Sequence, residues 1–292
     1  MALPLLLLSA GVLFFSACSQ QSNAGSTPTE STARKIVSLA PSITEILYAI
    51  EADDLLVGRS EYCLFPEQVQ AIPSVGRLDQ PNLEQILALQ PDLVLASGLT
   101  PAAVVGRIRA MGIRARRFEH SGMEGLLDDI RQIGELVGAD EQAGKLILQM
   151  ESAMASVRRR SADSRHPSTV LLYDLARLYS AGAGTFPDDL IRIAGGRNIA
   201  ADALSAWPQL SLEGLLETDP DVIFVTYGGA TRSRRMIERL LTERRNDPVW
   251  SRLSAFRSGR IYLIKDDYLS IPGPRSIQAL ESMSRGLYPD AN

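Results

Sequence analysis

One short unit occurs twice in this chain. Residues 81–96 read PNLEQILALQPDLVLA, and residues 211–225 read SLEGLLETDPDVIFV. Each copy has a residue suited to begin a helix, then Leu-Glu, an apolar pair, Pro-Asp, and an apolar run typical of a buried strand. A helix followed by a buried strand at two distant places predicts that the chain builds two similar α/β halves.

Short apolar runs alternate with helical patterns on both sides of a helical middle. In the first half the predicted strands are KIVSLA, LLVG, DLVLAS and RARRF, with helices at PSITEILYAI, NLEQILALQ and PAAVVGRIRAM. The second series is TVLLYDL, RLYSAG, the helices PDDLIRIAGG and SLEGLLETD, then DVIFVTYGG, RIYLIKDD and a final helix. Such alternation favours parallel sheets covered on both faces. Ser42 and Glu45 have the S-x-x-E spacing of a capping box, which predicts the start of the first helix.

The middle of the chain, residues 123–165, has no strand pattern. Leu146, Met150, Ala153 and Val157 follow one another at spacings of three and four, as on one face of a helix. We therefore predict an α/β protein of two Rossmann-like lobes with parallel sheets, 35–122 and 166–292, joined by a single long helix. Open α/β sheets bind ligands beyond the carboxyl ends of their strands, so a ligand cleft is expected between the lobes.

The first residues differ from this body. Residues 1–18 have an apolar core of signal-peptide length that ends in FSAC, which resembles a bacterial lipoprotein box with Cys18 as the lipidated residue. The alternatives are an uncleaved anchor or a plain signal peptide. Residues 19–34 are rich in Ser, Thr and Gly and are predicted to form a flexible tether. Each alternative places the protein in the cell envelope, on the periplasmic side, either lipid-anchored or soluble. Lipidation of Cys18 would leave Cys63 without an intrachain disulfide partner.

Charge and motifs narrow the class of function. The net charge is −4, so the chain has no basic surplus for nucleic-acid binding. It has no nucleophile-elbow, Walker or dinucleotide motif, and we expect neither a catalytic residue, a resident cofactor nor a metal site. The alternative is an extracytoplasmic hydrolase or metal-dependent enzyme, which would use His120, beside Glu119. His166 lies in a charged junction typical of a solvated loop.

Aromatic residues with polar tips lie near several predicted strand ends. They are Tyr62 and Phe65 in the first half and Tyr179, Trp207, Tyr227 and Tyr268 in the second. Side chains of this kind hold large, flat, amphipathic ligands. The alternative for each residue is packing within its lobe.

Five strings occur together in this sequence: KIVSLAPSITEILYAI, EYCLFPEQV, PNLEQILALQPDLVLA, GGRNI and IPGPR. Together they resemble strings of the substrate-binding proteins of ABC importers for vitamin B12, iron-siderophores and haem, and the resemblance extends from Lys35 to Pro289. It implies two lobes bridged by a long helix, little hinge motion, and a ligand clamped between the lobes. It also implies a monomer that works with a permease dimer and its ATPase subunits.

Within that family the cobalamin-binding branch is the most similar. This resemblance implies that the transported ligand is cobalamin, with pocket roles for Tyr62, Tyr179 and Trp207, for Asp267 as a hydrogen-bonding carboxylate, and for its neighbour Tyr268. Leu78 stands where the relatives have a pocket tryptophan. Arg77 lies one place from an arginine of the hydroxamate-siderophore branch, which keeps a ferric-siderophore or haem receptor as the alternative.

The repeated unit places Glu84 and Glu213 in the first turns of equivalent helices, after the N-cap candidates Asn82 and Ser211. A carboxylate there is favoured by the helix dipole by about 0.3–1 kcal/mol, which by itself accounts for each glutamate. The family resemblance implies a second role, in which one glutamate on each lobe contacts arginines of the two permease subunits.

Overall fold

The computed structural model describes residues 32–119, 122–162, 164–228 and 232–290. The signal peptide with Cys18, nearly all of the predicted tether, and His120 lie outside the described residues. Among the helices that are described, none is both long enough and apolar enough to cross a bilayer.

The N-terminal lobe is a four-stranded parallel sheet with helices. Its elements are β1 (Ile36–Ser38), α1 (Pro41–Ala49), β2 (Leu56–Arg59), α2 (Leu83–Leu89), β3 (Leu93–Ser97), α3 (Ala102–Ala110) and β4 (Arg114–Phe118). The strand order is β2-β1-β3-β4, and Ile36 of β1 pairs with Leu93 of β3. Every residue of β1 and β3 is buried, because helices cover both faces of the sheet.

Two helices connect the lobes, α4 (Gly122–Val137) and α5 (Asp140–Ser161). The 22 residues of α5 make a rod of about 33 Å. The helices approach closely at Gly134, where a Cβ atom would lie 2.5 Å from the Cβ of Ala143. Glycine is therefore required at this position by packing.

The C-terminal lobe repeats the arrangement. Its elements are β5 (Ser168–Leu172), α6 (Phe186–Ile193), β6 (Arg197–Asn198), α7 (Leu212–Thr218), β7 (Val222–Tyr227), α8 (Arg234–Arg245), α9 (Ser254–Ser258), β8 (Ile261–Lys265), α10 (Asp267–Ser270) and α11 (Ser276–Leu287). The parallel strand order is β6-β5-β7-β8, so in each sheet the second strand lies outside the first, and the third and fourth follow on the other side. The predicted fold class of two α/β lobes is confirmed.

A shared core holds the lobes together. One cluster of buried side chains runs from Ile43 of α1, through Ile130 of α4 and Met150 of α5, to Leu280 of α11. The two lobes therefore do not have separate cores joined by a bare linker, which favours a rigid molecule over a hinged one.

Two local predictions are wrong. The segment RLYSAG forms no strand, and its Tyr179 makes a single bridge to Gln209. The capping box at Ser42 is absent, because α1 begins one residue earlier with Pro41 at its first position and Ala40 as the N-cap. Glu45 instead forms a buried ion pair with Arg275 of the other lobe.

Candidate ligand-binding cleft

A cleft of about 1060 Å³ lies between the lobes. Its walls come from the carboxyl ends of strands in both sheets, where the chain turns from strand to helix. The residues that line it are Ala40, Pro41, Ser42, Tyr62, Leu78, Ser97, Gly98, Leu99, Arg117, Glu119, Tyr173, Tyr179, Ser180, Phe186, Pro187, Trp207, Asp267, Leu269, Ser270, Ile271 and Pro272.

Aromatic rings form much of the wall on the C-terminal lobe. Tyr173 directly follows β5, and its ring packs edge-on against Trp207 with centroids 5.8 Å apart. Phe186 at the start of α6 completes this wall with Tyr179. Trp207 is 54% exposed. Rings this exposed, in a concave site, provide an apolar surface that a flat ligand would cover.

The Tyr173 hydroxyl remains a hydrogen-bond donor. Burial raises the pKa of this phenol well above its ordinary value, and the nearby Asp266 carboxylate raises it further. The phenol therefore stays protonated at any physiological pH, and its oxygen is buried within the protein.

The N-terminal lobe contributes one ion pair to the cleft. The Arg117 guanidinium, at the end of β4, pairs with Glu119. Its Nε also donates to the Thr100 carbonyl at 2.9 Å, and its Nη2 donates to the Gly98 carbonyl at 2.8 Å. The carboxylate neutralises the guanidinium charge, and the two carbonyl bonds tie Arg117 to the loop after β3.

The opposite lobe contributes Asp267, the first residue of α10. The Lys265 ammonium lies 3.1 Å from its Oδ2, and an Arg275 guanidinium nitrogen lies 3.8 Å from the same atom. The Asp267 carboxylate can accept hydrogen bonds at the edge of the cleft.

The seven predicted ligand-binding residues divide into two groups. Four of them line the cleft: Tyr62, Tyr179, Trp207 and Asp267. Three do not: Arg77, Tyr227 and Tyr268. Leu78, which replaces the expected tryptophan, also lines the cleft.

The three residues outside the lining have other contacts. Arg77 pairs with Asp79 at 3.0 Å, and its guanidinium lies 5.7 Å from the centroid of the Tyr62 ring. Tyr268 packs beside Arg275, with 5.5 Å between ring centroid and guanidinium. Tyr227 lies against Arg234. Arg77 therefore adjoins the cleft residue Tyr62, whereas Tyr227 packs against a separate buried cluster of its lobe.

Sequence reasoning missed Tyr173, Phe186 and Arg117. Tyr173 was detectable, since it is the first residue after a clear strand, at the sheet edge where ligands bind. Arg117 lies within the strand RARRF and carries no local sign of its role, because its partners come from the loop after β3.

No group of three or more His, Cys, Asp or Glu side chains is placed to hold a metal ion in the part of the chain that is described. Cys63 is buried, and its sulfur lies within hydrogen-bond distance of the hydroxyls of Thr44 and Ser60. Burial raises the pKa of this thiol, so it behaves as a small core residue.

The two repeated glutamates lie on the first turns of α2 and α7. The predicted N-caps are confirmed: Asn82 Oδ1 accepts from the amides of Glu84 and Gln85, and Ser211 Oγ accepts from the amide of Gly214. Glu84 and Glu213 are exposed. Neither forms an ion pair with any described residue of the chain.

Comparison with known proteins gives a consistent result. Residues 36–268 match the family model described as periplasmic binding protein. The chain is 29% identical over 265 residues to the uncharacterised ABC transporter substrate-binding lipoprotein YvrC of Bacillus subtilis, covering 88% of this chain and 81% of that protein.

Two solved structures share the fold. The periplasmic vitamin B12 binding protein BtuF of Vibrio cholerae superposes with a TM-score of 0.74 at 26% identity, covering 87% of this chain and 96% of that one. The periplasmic heme-binding protein RhuT of Roseiflexus sp. RS-1 superposes with a TM-score of 0.73 at 27% identity, covering 89% and 100%.

Proposed function

This chain belongs to the periplasmic binding protein family, and on that premise we propose that it captures a corrinoid, cobalamin in particular, and delivers it to the permease of an ABC importer. The fold and the family make it a substrate-binding protein of such a transporter. The identity of the ligand is inferred from the chemistry of the residues that line the cleft.

The main observation that supports the corrinoid proposal is that the cleft is lined by aromatic rings and that its charged side chains already pair with one another or with neighbouring residues. Among the described lining residues Arg117 is the single cation, and Glu119 with two carbonyls occupies it. Corrinoids are flat and edged with neutral carboxamides, which need hydrogen-bond partners and no opposing charge. The two carboxylates of a haem would need free cations.

Cleft size is consistent with this ligand. The volume of about 1060 Å³ is slightly above the range of roughly 300–1,000 Å³ common for small-molecule pockets, as suits a large ligand. A corrin ring against Tyr179 and Trp207 would bury their exposed faces, and Asp267 would accept hydrogen bonds from amide groups at its edge.

A haem or ferric-siderophore receptor is the second candidate. The likeness to a heme-binding protein supports it, as does the presence of the Tyr62 and Tyr179 phenols in the cleft, since phenolate oxygen is a ligand of ferric iron. An enzyme that uses His120 is the rival from a different class, and loss of a hydrolytic activity in His120→Ala would favour it.

The remaining parts of the proposal concern membrane and partner. We infer that Cys18 carries the lipid anchor, as the lipoprotein name of the Bacillus relative supports. Glu84 and Glu213 would each contact one subunit of the permease dimer, and the receptor would act as a monomer.

The test uses intrinsic fluorescence. The chain has two tryptophans, Trp207 in the cleft and Trp250, which is 3% exposed within the C-terminal lobe. Full-length protein in detergent is titrated with cyanocobalamin, haemin and a ferric hydroxamate in separate arms. We expect quenching by cyanocobalamin with sub-micromolar affinity, lost in Trp207→Phe and kept in Trp250→Phe.

A second readout is the absorption spectrum after removal of free ligand. Retention of the corrin bands supports the proposal, and Asp267→Asn should weaken retention without changing the thermal unfolding midpoint. Retention of haemin or the ferric hydroxamate, with no corrin retained, would overturn the corrinoid assignment in favour of the second candidate.

A further inference from the structure

One ion pair joins the lobes beside residues that line the cleft. Arg275, just before α11, binds Glu45 of α1 through two guanidinium nitrogens, with 2.9 Å between Nε and Oε2. The residues are 230 positions apart in the chain. Glu45 is 5% exposed and Arg275 is 9% exposed. A bidentate Arg–carboxylate bond fixes the distance and the relative orientation of the groups it joins.

Arg275 contacts the N-terminal lobe at a second point. Its guanidinium carbon lies 3.9 Å from the centroid of the Phe65 ring, at stacking distance. Phe65 follows Tyr62 by three residues in the loop that supplies Tyr62 to the cleft. The position of the Tyr62 loop is therefore tied to a residue of the opposite lobe.

The same guanidinium approaches the cleft residue Asp267 of its own lobe at 3.8 Å. The intervening loop lies directly on α1, where a Cβ at Gly273 would be 3.2 Å from a Glu45 carboxylate oxygen. One side chain thus contacts both cleft walls, through Glu45 and Phe65 on one side and Asp267 on the other.

A buried ion pair is a poor source of stability, since desolvation offsets most of its attraction. The directional geometry of the Arg275–Glu45 pair can instead favour one relative arrangement of the lobes over others of similar energy. The apolar core shared by the lobes is not directional in this way, because hydrophobic burial permits small sliding movements.

We propose that Arg275 is a positioning residue that sets the spacing of the two cleft walls before ligand arrives. It acts through Glu45, Phe65 and Asp267 and does not itself line the cleft. The part that concerns ligand affinity rests on the function proposed above, whereas the part that concerns lobe spacing does not.

The spacing is measured without ligand in the full-length protein. Spin labels are attached through a genetically encoded ketone residue at two exposed positions, Arg107 of α3 and Arg239 of α8, which leaves both cysteines unmodified. Electron–electron resonance then gives the distribution of distances between the lobes. We expect one narrow distribution in the parent and a broader or shifted one in Arg275→Met and in Glu45→Gln.

Arg275→Lys provides the graded variant. Lysine keeps the charge but cannot form the planar two-point bond or stack on Phe65, so its distribution should be intermediate. Arg260→Met is the matched control, because Arg260 donates to the carbonyls of Gly286 and Leu287 within one lobe. That variant should lose stability and keep the parent distribution.

Ligand affinity gives the second readout. If the competent spacing falls to about a tenth of the population in Arg275→Met, cyanocobalamin affinity weakens about tenfold, since apparent affinity scales with the competent fraction. Affinity in Arg260→Met should be unchanged.

Unchanged distance distributions in Arg275→Met and Glu45→Gln would overturn the proposal and assign the spacing to the shared core. Glu45→Gln preserves side-chain volume, so it decides the matter if Arg275→Met fails to fold. If the parent binds no cyanocobalamin, the corrinoid assignment fails, and the distance distributions alone still decide the role of Arg275.

Discussion

The two copies of the repeated unit, residues 81–96 and 211–225, supply α2 with β3 and α7 with β7 and can be compared residue by residue. Each helix has seven residues, a side-chain N-cap, and a left-handed C-cap, at Gln90 with φ 48° and at Asp219 with φ 38°. Each is followed by Pro-Asp and by a strand that lies inside its sheet.

The aspartate of the Pro-Asp pair has the same structural role in both copies. Asp92 Oδ2 accepts from the amides of Arg34 and Lys35 at 2.9 Å, just before β1. Asp221 Oδ2 accepts from the amide of Ser168 at 2.8 Å, at the start of β5. Each aspartate therefore joins the third strand of its sheet to the first.

The copies differ in how many further bonds they make. Asp221 also accepts from the Ser168 hydroxyl at 2.8 Å and pairs with Arg165 at 3.1 Å. Asp219 accepts from the amide and the hydroxyl of Ser254, both at 2.6 Å. Contacts within each lobe therefore explain most residues of the repeat. For the two exposed glutamates, the helix dipole is the one local interaction that explains their presence.

The largest expected effect concerns those glutamates. We predict that Glu84→Ala with Glu213→Ala abolishes transport and leaves ligand affinity unchanged, because both carboxylates are exposed and unpaired with described residues. The loss of stability should not exceed the helix-dipole contribution of about 0.3–1 kcal/mol per glutamate. The measurement is uptake of labelled cobalamin in cells, beside ligand titration of the purified variant. Each single variant should retain part of the uptake, since one contact per lobe remains.

The matched control removes two other exposed glutamates, Glu135 of α4 and Glu217 of α7, and should transport normally. Normal uptake by the double variant would contradict a docking role and would mean that the helix dipole alone explains why both helices begin with a glutamate.

A smaller effect is expected for Asp221. Burial alone would raise the pKa of this carboxyl, but the hydrogen bonds from Ser168 and the charge of Arg165 outweigh it and hold the pKa below the ordinary 3.8. A carboxylate with a lowered pKa stabilises the fold above the ordinary value, and that contribution is lost as pH falls through the lowered pKa.

We therefore predict that Asp221→Asn lowers the free energy of unfolding at neutral pH by about 1–3 kcal/mol. As pH falls from about 4 through the lowered pKa, the difference from the parent should shrink, because the carboxyl becomes protonated first in the unfolded chain and then in the folded protein. Urea unfolding at several pH values measures this, with Asp92→Asn alongside. A difference that stays constant down to pH 2 would contradict the assigned pKa direction.

Sequence predicted the features that depend on neighbours in the chain. The alternation of buried strands and helices gave both lobes, and Asn82 and Ser211 marked two helix starts, because capping is settled within three residues. The cleft residues Tyr62, Tyr179, Trp207 and Asp267 came from matching short motifs.

The failures involve distant partners. Glu45 has the spacing of a local cap, yet its partner Arg275 is 230 residues away. Arg117 reads as an ordinary strand residue, and only the folded chain places the carbonyls of Gly98 and Thr100 around it. Local pattern carries no information on such contacts, which form when the sheet is assembled.

The C-cap residues offer a prediction in which the two copies respond with opposite signs. Gln90→Gly should stabilise the protein by about 0.5–1 kcal/mol, because glycine adopts a left-handed conformation without strain. Asp219→Gly gains the same relief but loses two hydrogen bonds from Ser254, so it should destabilise by about 1 kcal/mol. Urea midpoints of the two variants give the comparison, and changes of the same sign would show that the Ser254 contacts contribute little.

The N-caps give the smallest difference. Alanine at either position should cost about 0.5–2 kcal/mol. Asn82 satisfies two helix amides and Ser211 satisfies one, so Asn82→Ala should lie nearer the upper end of that range and Ser211→Ala nearer the lower. Urea unfolding resolves such a difference when the denaturant slopes agree. Ser211→Asn would sharpen the result: if the number of amides satisfied is what matters, this variant should be at least as stable as the parent, and a loss would mean that the helices differ in more than their caps.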